Sequence, residues 1–291
     1  MTGLHRLPLA SLDAPAGDPE PRSRTFASGD PLGHSRARLT ALLNPALTDE
    51  AGRPYGQLGF LDLTDDVDGA RGLIGQALDW LAGLDVGVAT VLAPMNGDAW
   101  HDYRLMVAGQ AEPPFPGEPR NPPWLPELLG ACGFTPFSEH LTKTIARPEA
   151  LASSWAPFHR RALARGISFQ AVEPASLDAA LGRAHRLSLA VFSRLPLFSP
   201  LSEAAFRGLY AGVEGLLEPD GLLFAVDRDG HDLGLAFAFR LPGRPRDLYL
   251  KSFGVREEWR GTGLAPAFTA EVYRRWLDRG VERVHHCLMG Q

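Results

Sequence analysis

Hydrophobic and polar positions follow a regular order from Ser35 onward. In the first half the pattern predicts strands in "ARLTALLN" and "YGQLGFLDL", a helix in "DGARGLIGQALDWLAGL" and a short buried strand in "VATVLAPM". One or two helical turns in "DAWHDYRLMV", a short helix in "PELLGACGF" and a strand in "TPFSEHLTKTIA" follow. The next segment, "PEALASSWAPFHRRALARG", predicts a connecting helix that breaks near Pro157.

The second half predicts strand, helix, helix, strand, strand, strand, helix and strand. Ser176 and Ser202 are the expected N-caps of its first two helices. The turn "DRDG" joins two strands into a hairpin, and the last helix ends at Gly280 before the strand "VERVHHCLM". The element orders of the two halves overlap, which favours a degenerate internal repeat.

Composition narrows the function classes. The 291 residues are enough for two domains, and 45% hydrophobic with 22% charged residues is typical of a globular soluble protein. A net charge of -5 argues against non-specific nucleic-acid binding and against docking on anionic membranes. No apolar run suits a signal peptide or a membrane span, so we expect a cytoplasmic protein. Residues 1–28, rich in Pro, Gly, Asp and Ser, are expected to form a flexible lead-in.

The two cysteines give no metal or redox motif. Cys132 and Cys287 are far apart in the sequence, and neither belongs to a C-x-x-C pair. Two reduced thiols are therefore expected, and no metal cofactor.

The candidate chemistry lies in "FGVREEWRGTGLAPAF", where a strand passes into a helix through small residues. Amide N–H groups at a helix N-terminus attract anions, and Gly and Ala let a phosphate approach the backbone. Arg260 is expected to add a positive charge beside them. A Walker loop would need a lysine here, and a dinucleotide fingerprint would need glycine where Pro266 stands. A tight turn without a ligand is the alternative interpretation.

Three residues of this turn, Arg260, Gly263 and Ala265, fill a Gln/Arg-x-x-Gly-x-Gly/Ala signature. With the element order of the second half, this resembles the GNAT superfamily of acyl-CoA-dependent N-acyltransferases. The resemblance implies a mixed α/β fold in which turn amides hold the diphosphate of acetyl-CoA. The fourth strand would pair with the pantetheine arm, and the fourth and fifth strands would splay around the thioester. The acyl donor is thereby assigned to Phe253, Gly254, Val255, Arg260, Gly261, Thr262, Gly263, Leu264 and Ala265.

The first half resembles a degenerate GNAT unit, and the whole chain resembles bacterial proteins with two such halves. Its corresponding turn, "TDDVDG", is acidic and lacks the signature, so it would repel a diphosphate. We therefore predict a degenerate GNAT-like domain over residues 29–147, a connecting helix over 148–165 and a GNAT domain over 166–291.

The resemblance also exposes a departure from the family pattern. A complete GNAT unit adds a helix and two strands after the fifth strand, and this sequence stops there. The tyrosine that acts as general acid in many members therefore has no counterpart that the sequence identifies. Truncation, the N-terminal half through its strand near "FSEHLTKTIA", or a second subunit in a homodimer would each account for the open edge. We favour the N-terminal half.

The catalytic base is less well defined. His285 and His286 are adjacent, so a strand places them on opposite faces. His286 is the base that we select, because similar proteins share the "HxLM" pattern that includes it. A half-buried structural histidine is the alternative. Glu257 and Glu258 are more typical of solvated residues, and Lys251 of a substrate contact or a strand-edge charge.

These features favour an acyl-CoA-dependent N-acyltransferase that moves an acetyl group to a primary amine. A small-molecule amine is the expected acceptor, although an aminoglycoside, an amino acid and a protein terminus stay open. The alternative is a non-catalytic GNAT-like protein that binds acyl-CoA or serves as a scaffold. A nucleotide-binding enzyme that uses the same turn is a third class.

Overall fold

The computed structural model describes residues 21–29, 35–112, 114–215 and 217–290. Its described residues form two compact units. The N-terminal unit contains residues up to Phe137 together with Leu195–Pro200, and the C-terminal unit contains Ser138–Arg194 and the residues from Leu201 onward. Most of the expected lead-in, residues 1–20, lies outside the described residues. The domain limits at 147 and 165 stay predictions, because compact packing alone does not identify a GNAT-like repeat.

The N-terminal unit has a four-stranded sheet with the order β1-β2-β3-β4. Its elements are β1 (Arg22–Gly29), β2 (Ser35–Thr48), β3 (Pro54–Asp62), α1 (Val67–Ala82), β4 (Val91–Leu92) and α2 (Leu125–Ala131). The first three strands are antiparallel and β4 is parallel to β3. Helix α1 buries Leu73, Ala77 and Leu81 because they recur at helical spacing.

Two segments of this unit differ from the sequence-based prediction. Residues 22–29 form a strand that pairs along β2, which the polar composition did not indicate. The predicted helical turns in "DAWHDYRLMV" are wrong, because this segment contains no helix. The carboxylate of Asp98 accepts a hydrogen bond from the Trp100 N–H at 2.9 Å, and such a local bond competes with helix formation.

The C-terminal unit has a six-stranded sheet with the order β5-β10-β9-β8-β7-β6. The pair β9–β10 is parallel and the other neighbours are antiparallel. The predicted element order of the second half is confirmed. The elements are β5 (His140–Ile145), α3 (Pro148–Ala164), β6 (Ser168–Ala171), α4 (Leu177–Phe192), α5 (Glu203–Leu209), β7 (Leu222–Val226), β8 (Asp232–Leu241), β9 (Arg244–Val255), α6 (Leu264–Leu277) and β10 (Arg283–Gly290).

Helices α3 and α6 pack together over one face of this sheet. The core between α6 and the sheet contains Leu248, Leu250, Phe268, Val272 and Trp276. Nε2 of His159 on α3 lies 2.9 Å from a carboxylate oxygen of Glu271 on α6. Burial of this apolar surface fixes α6, and therefore the turn that precedes it, against the sheet.

Strand β5 covers the edge of β10 that the sequence left open. It pairs antiparallel with β10 from Val284↔Ile145 to Gly290↔His140, with an irregularity between His286 and Met289. The expectation that the strand near "FSEHLTKTIA" covers this edge is confirmed. Among the described residues no element follows β10, so β5 and α3 supply an edge strand and a packed helix from the N-terminal side.

The helix ends and breaks are partly as predicted. Ser202 caps α5 by accepting from the Ala205 N–H, but the Ser176 side chain makes no such bond to α4. Helix α3 continues through Pro157, so the predicted break is wrong. Its packing on α6 compensates for the backbone hydrogen bond that proline removes. Within the described residues, no helix combines the length and the apolar character that crossing a bilayer requires.

The backbone geometry identifies which β5 residue bonds to β10. The Glu282 N–H donates to the Arg246 carbonyl at 2.8 Å, toward β9. Because successive residues alternate, the backbone groups of His285 face β5, where Thr144 is the register partner. The Lys143 N–H then faces away from β10.

We expect Thr144→Pro to lower the free energy of unfolding by about 1–3 kcal/mol, because it removes a ladder hydrogen bond and leaves its partner unsatisfied. Chemical denaturation of the full chain measures this. Lys143→Pro, whose N–H is not in the ladder, and Thr144→Val, which loses only the hydroxyl, are the matched controls. Equal destabilisation by the two proline variants would contradict the pairing.

Candidate functional site

The turn between β9 and α6 depends on two glycines in the left-handed region. Gly261 has φ 75° and Gly263 has φ 89°, conformations that other residues rarely adopt. A Cβ at Gly263 would lie 2.7 Å from the Phe158 ring of α3, whereas a Cβ at Gly261 would meet nothing within 4 Å. Sequence reasoning missed Phe158, because nothing in the sequence links it to a turn over a hundred residues away.

Four backbone N–H groups of this turn have no partner among the described residues: those of Gly261, Gly263, Leu264 and Ala265. By contrast, the Thr262 N–H donates to the Trp259 carbonyl at 3.4 Å. Leu264 opens α6 and has its side chain in the core. Unpaired donors at the positive end of a helix dipole attract anions.

Arg260 makes a contact that the sequence did not indicate. Its guanidinium donates to the Val191 carbonyl at 3.1 Å, near the C-terminal end of α4. Because Val191 is in the last turn of α4, this bond satisfies a helix carbonyl that has no partner within the helix. Arg260 therefore ties the turn to α4, and its expected role as a positive charge beside the turn stays a prediction.

Strands β9 and β10 separate beside this turn. They pair in parallel from Asp247↔Arg283 to Leu250↔His286 and not beyond. After that point β9 pairs only with β8, and β10 only with β5. The splayed strands that the GNAT resemblance implies are present in the structure.

A β-bulge marks the point of separation. Ser252 lies opposite Phe237 and Leu250 opposite Ala238, so Lys251 is an extra residue in β9. After the bulge, the Arg256 N–H donates to the Leu233 carbonyl, toward β8. By alternation the backbone groups of Phe253 and Val255 face the gap, where an extended ligand could pair with them.

Gly254 is required by packing. A Cβ there would overlap Cγ1 of Val191, so α4 approaches the β9 backbone closely. The Phe253 ring lies on the other face and packs against Phe268 of α6 at 5.4 Å between ring centroids. The two residues therefore fix β9 between α4 and α6.

His286, the predicted base, lies at the last β9–β10 pair. Its Nε2 is 2.6 Å from the Tyr273 hydroxyl of α6. Burial, together with the nearby Lys143 charge, lowers the pKa of His286 below its ordinary value. Burial also raises the pKa of Tyr273, so its hydroxyl stays protonated at neutral pH. Sequence reasoning missed Tyr273, since its contact with His286 depends on how α6 crosses the sheet.

His285 lies on the opposite face, as predicted. Its Nδ1 is 2.9 Å from the Thr144 hydroxyl, and its ring stacks on Tyr249 at 4.7 Å. Burial lowers the pKa of His285, although the carboxylate of Asp247, 3.8 Å from Nε2, opposes that shift. Asp247 is itself buried and bonds Arg283 at 2.6 Å, so His285 belongs to a buried ion network.

Other polar candidates belong to local structure. Glu257 pairs with Arg194 on the surface, which supports its interpretation as a solvated residue. His101 lies in the segment "DAWHDYRLMV", and its Nδ1 is 2.7 Å from a carboxylate oxygen of Asp98. Asp98 is fully buried and also accepts from the Ser199 hydroxyl at 2.9 Å, which makes a closed polar cluster within the N-terminal unit.

No protein-family model matches the chain, and no curated protein sequence matches it. Solved structures do match. One is a conserved protein of unknown function from Enterococcus faecalis V583, named as a probable N-acyltransferase, with TM-score 0.55 and 11% identity over 92% of this chain. Another is the GCN5-related glucosamine N-acetyltransferase region of a fungal multi-domain GH3 β-N-acetylglucosaminidase, with TM-score 0.51 and 13% identity over 92% of this chain.

The chain corresponds to only part of each of these proteins. The chain spans 55% of the length of the Enterococcus protein and 30% of that of the fungal protein. At 11% and 13% identity the likeness is one of fold. With the splayed strands, the bulge and the glycine turn, it establishes that this chain has the mixed α/β acyltransferase fold of GNAT N-acetyltransferases.

Proposed function

We propose that this protein is an acyl-CoA-dependent N-acyltransferase that moves an acetyl group from acetyl-CoA to a primary amine. The observation that carries the proposal is the set of four N–H groups in the turn before α6 that have no partner in the described part of the chain, beside the open edge of β9. This combination provides donors for a diphosphate and a backbone edge for an extended pantetheine arm. We propose a small-molecule amine as the acceptor and the cytoplasm as the location of the reaction.

The donor site follows from these groups. Gly261, Gly263, Leu264 and Ala265 would donate to the diphosphate, and Phe253 and Val255 would hold the arm in the gap. Acetyl-CoA supplies an acyl group activated as a thioester. Placing the arm along β9 brings that end to the level of His286, where β9 and β10 part.

The proton chemistry depends on His286. An ammonium group must lose a proton before its nitrogen attacks, and a neutral histidine can accept it. The lowered pKa keeps His286 neutral at pH 7. In the tautomer whose Nε2–H donates to the Tyr273 oxygen, Nδ1 keeps its lone pair for this proton, and Tyr273 fixes the ring orientation.

The non-catalytic alternative is favoured by the family's terminal helix and two strands, for which this sequence shows no counterpart after the fifth strand. Pairing of β5 with β10 covers the strand edge and leaves that alternative open. Two measurements distinguish an N-acyltransferase from a non-catalytic protein and from a nucleotide-binding enzyme. The first is the thermal unfolding of the protein with acetyl-CoA and with ATP, and the second is the release of free thiol from acetyl-CoA with a panel of amines. Stabilisation by acetyl-CoA without thiol release would favour a binding protein, and stabilisation by ATP alone would contradict both.

Gly261 offers a direct test of the diphosphate site. We expect Gly261→Asp to weaken acetyl-CoA binding by about tenfold or more, because a carboxylate beside the four N–H groups repels the diphosphate. Isothermal titration calorimetry measures the dissociation constant. Gly263 is unsuitable, since any side chain there meets Phe158.

The matched control is Gly261→Asn. Asparagine and aspartate have the same shape, and both tolerate a positive φ, so the two variants differ in charge alone. Similar affinities of the two variants, with the fold intact, would remove the diphosphate from this turn.

The pH dependence tests His286 as the base. We expect the acid limb of kcat to lie below pH 6.5, because the folded protein lowers the pKa of His286 from its ordinary value. Lys143→Gln removes a positive charge that lowers this pKa, so the acid limb should move to higher pH. Steady-state kinetics between pH 4.5 and 8 measure it, over roughly the range in which histidine titrates.

The controls separate charge from structure. Lys143→Arg keeps the charge and should leave the limb in place. His286→Gln should lower kcat by about 10²-fold or more, whereas His285→Gln on the opposite face should not. An unchanged kcat in His286→Gln would remove His286 from the chemistry.

A further inference from the structure

Three exposed arginines lie at the C-terminal end of α3: Arg160 and Arg161 within the helix, and Arg165 at its C-cap. Among the residues that the structure describes, none of the three forms an ion pair with a carboxylate. Many other arginines of the C-terminal unit do so: Arg183 with Asp232, Arg207 with Glu203, Arg240 with Glu218, Arg275 and Arg279 with Asp220, and Arg283 with Asp247. The described residues therefore provide no carboxylate that neutralises these three arginines.

Two of these arginines are held against the glycine turn by aromatic rings. Cζ of Arg161 lies 5.9 Å from the centroid of the Phe158 ring, which contacts Gly263. Cζ of Arg165 lies 5.2 Å from the centroid of the Trp259 ring. Trp259 is part of the turn, because its carbonyl accepts from the hydroxyl of Thr262 at 2.7 Å.

The helical spacing separates the third arginine from the other two. Arg161 and Arg165 are four residues apart and share a face of α3, as do residues at i and i+4 in any helix. Arg160 precedes Arg161 by one residue and is turned about 100° around the helix axis. Arg160 therefore provides a natural control with the same charge on the same helix.

The guanidinium groups of Arg161 and Arg165 indicate that a second anionic group binds beside the one that the turn amides would bind. The turn amides can satisfy one anionic group, and the two guanidiniums add fixed positive charge next to it. Guanidinium groups bind phosphate through paired, charge-assisted hydrogen bonds. A chain with net charge -5 has no general excess of positive charge, so this concentration is local.

We propose that Arg161 and Arg165 bind the ribose 3′-phosphate of coenzyme A, so that α3 selects the acyl donor by its nucleotide end. The inference rests on the proposed function, since it takes the diphosphate to lie on the turn amides. Only the ribose ring separates the 3′-phosphate from that diphosphate, which puts the phosphate within reach of side chains stacked at the turn. The same helix thus packs on α6 and recognises the donor.

Calorimetric titration of the full chain with acetyl-CoA and with 3′-dephospho-acetyl-CoA tests the inference. The wild-type protein should bind the dephospho compound about tenfold or more weakly, the loss expected when charge-assisted hydrogen bonds are removed. In the double variant Arg161→Gln with Arg165→Gln, the two compounds should bind with similar affinity, close to that of the dephospho compound for wild type. Arg160→Gln should keep the wild-type ratio.

The outcomes distinguish this inference from the proposed function. Equal binding of both compounds by wild type, or an unchanged ratio in the double variant, overturns the 3′-phosphate site and leaves the donor site standing. Binding of neither compound overturns the proposed function, and this inference with it. If Arg160→Gln also bound the two compounds with similar affinity, the preference for acetyl-CoA would be a general effect of positive charge, and the assignment to Arg161 and Arg165 would be overturned. Thermal unfolding of each variant without ligand confirms that α3 stays folded.

Discussion

The proposed donor site depends on one constraint: where β9 turns into α6, four backbone N–H groups have no acceptor among the residues that the structure describes. Left-handed glycines at 261 and 263 shape the turn, and the core holds both the strand and the helix in place. The turn therefore cannot rearrange to supply acceptors for these four donors. In water such donors bind solvent at little cost, but they are already oriented for an anion. Arg260 and Phe158 reinforce the turn from α4 and α3.

A second constraint is the open edge of β10, and its solution links the fold to the site. Strand β5 pairs with that edge, and α3 follows it onto α6. These two elements lie before β6 in the sequence, where the family pattern expects elements after the fifth strand. As a consequence, one segment covers an exposed edge, contributes Lys143 beside His286, and brings unpaired arginines to the glycine turn.

Local patterns predicted the elements and the turn, because periodicity and turn chemistry act over a few residues. The "DRDG" hairpin, the Ser202 cap and the order of the second half were recognisable for that reason. Local patterns did not predict the packing between residues that are distant in the sequence. The continuity of α3 through Pro157 and the Tyr273 partner of His286 depend on residues distant in sequence. Nor does local sequence show that Asp98 would be buried and bonded rather than solvated.

The central claim is that the turn before α6 binds a diphosphate, and the most direct test is to measure the NMR signals of its four amides while coenzyme A is added. In a backbone amide NMR titration with coenzyme A, the signals of Gly261, Gly263, Leu264 and Ala265 should shift together and saturate with one dissociation constant. The Thr262 amide, already bonded within the turn, should move less. If the four signals stay in place while coenzyme A binds elsewhere, or does not bind, the account of this turn as a diphosphate site is contradicted.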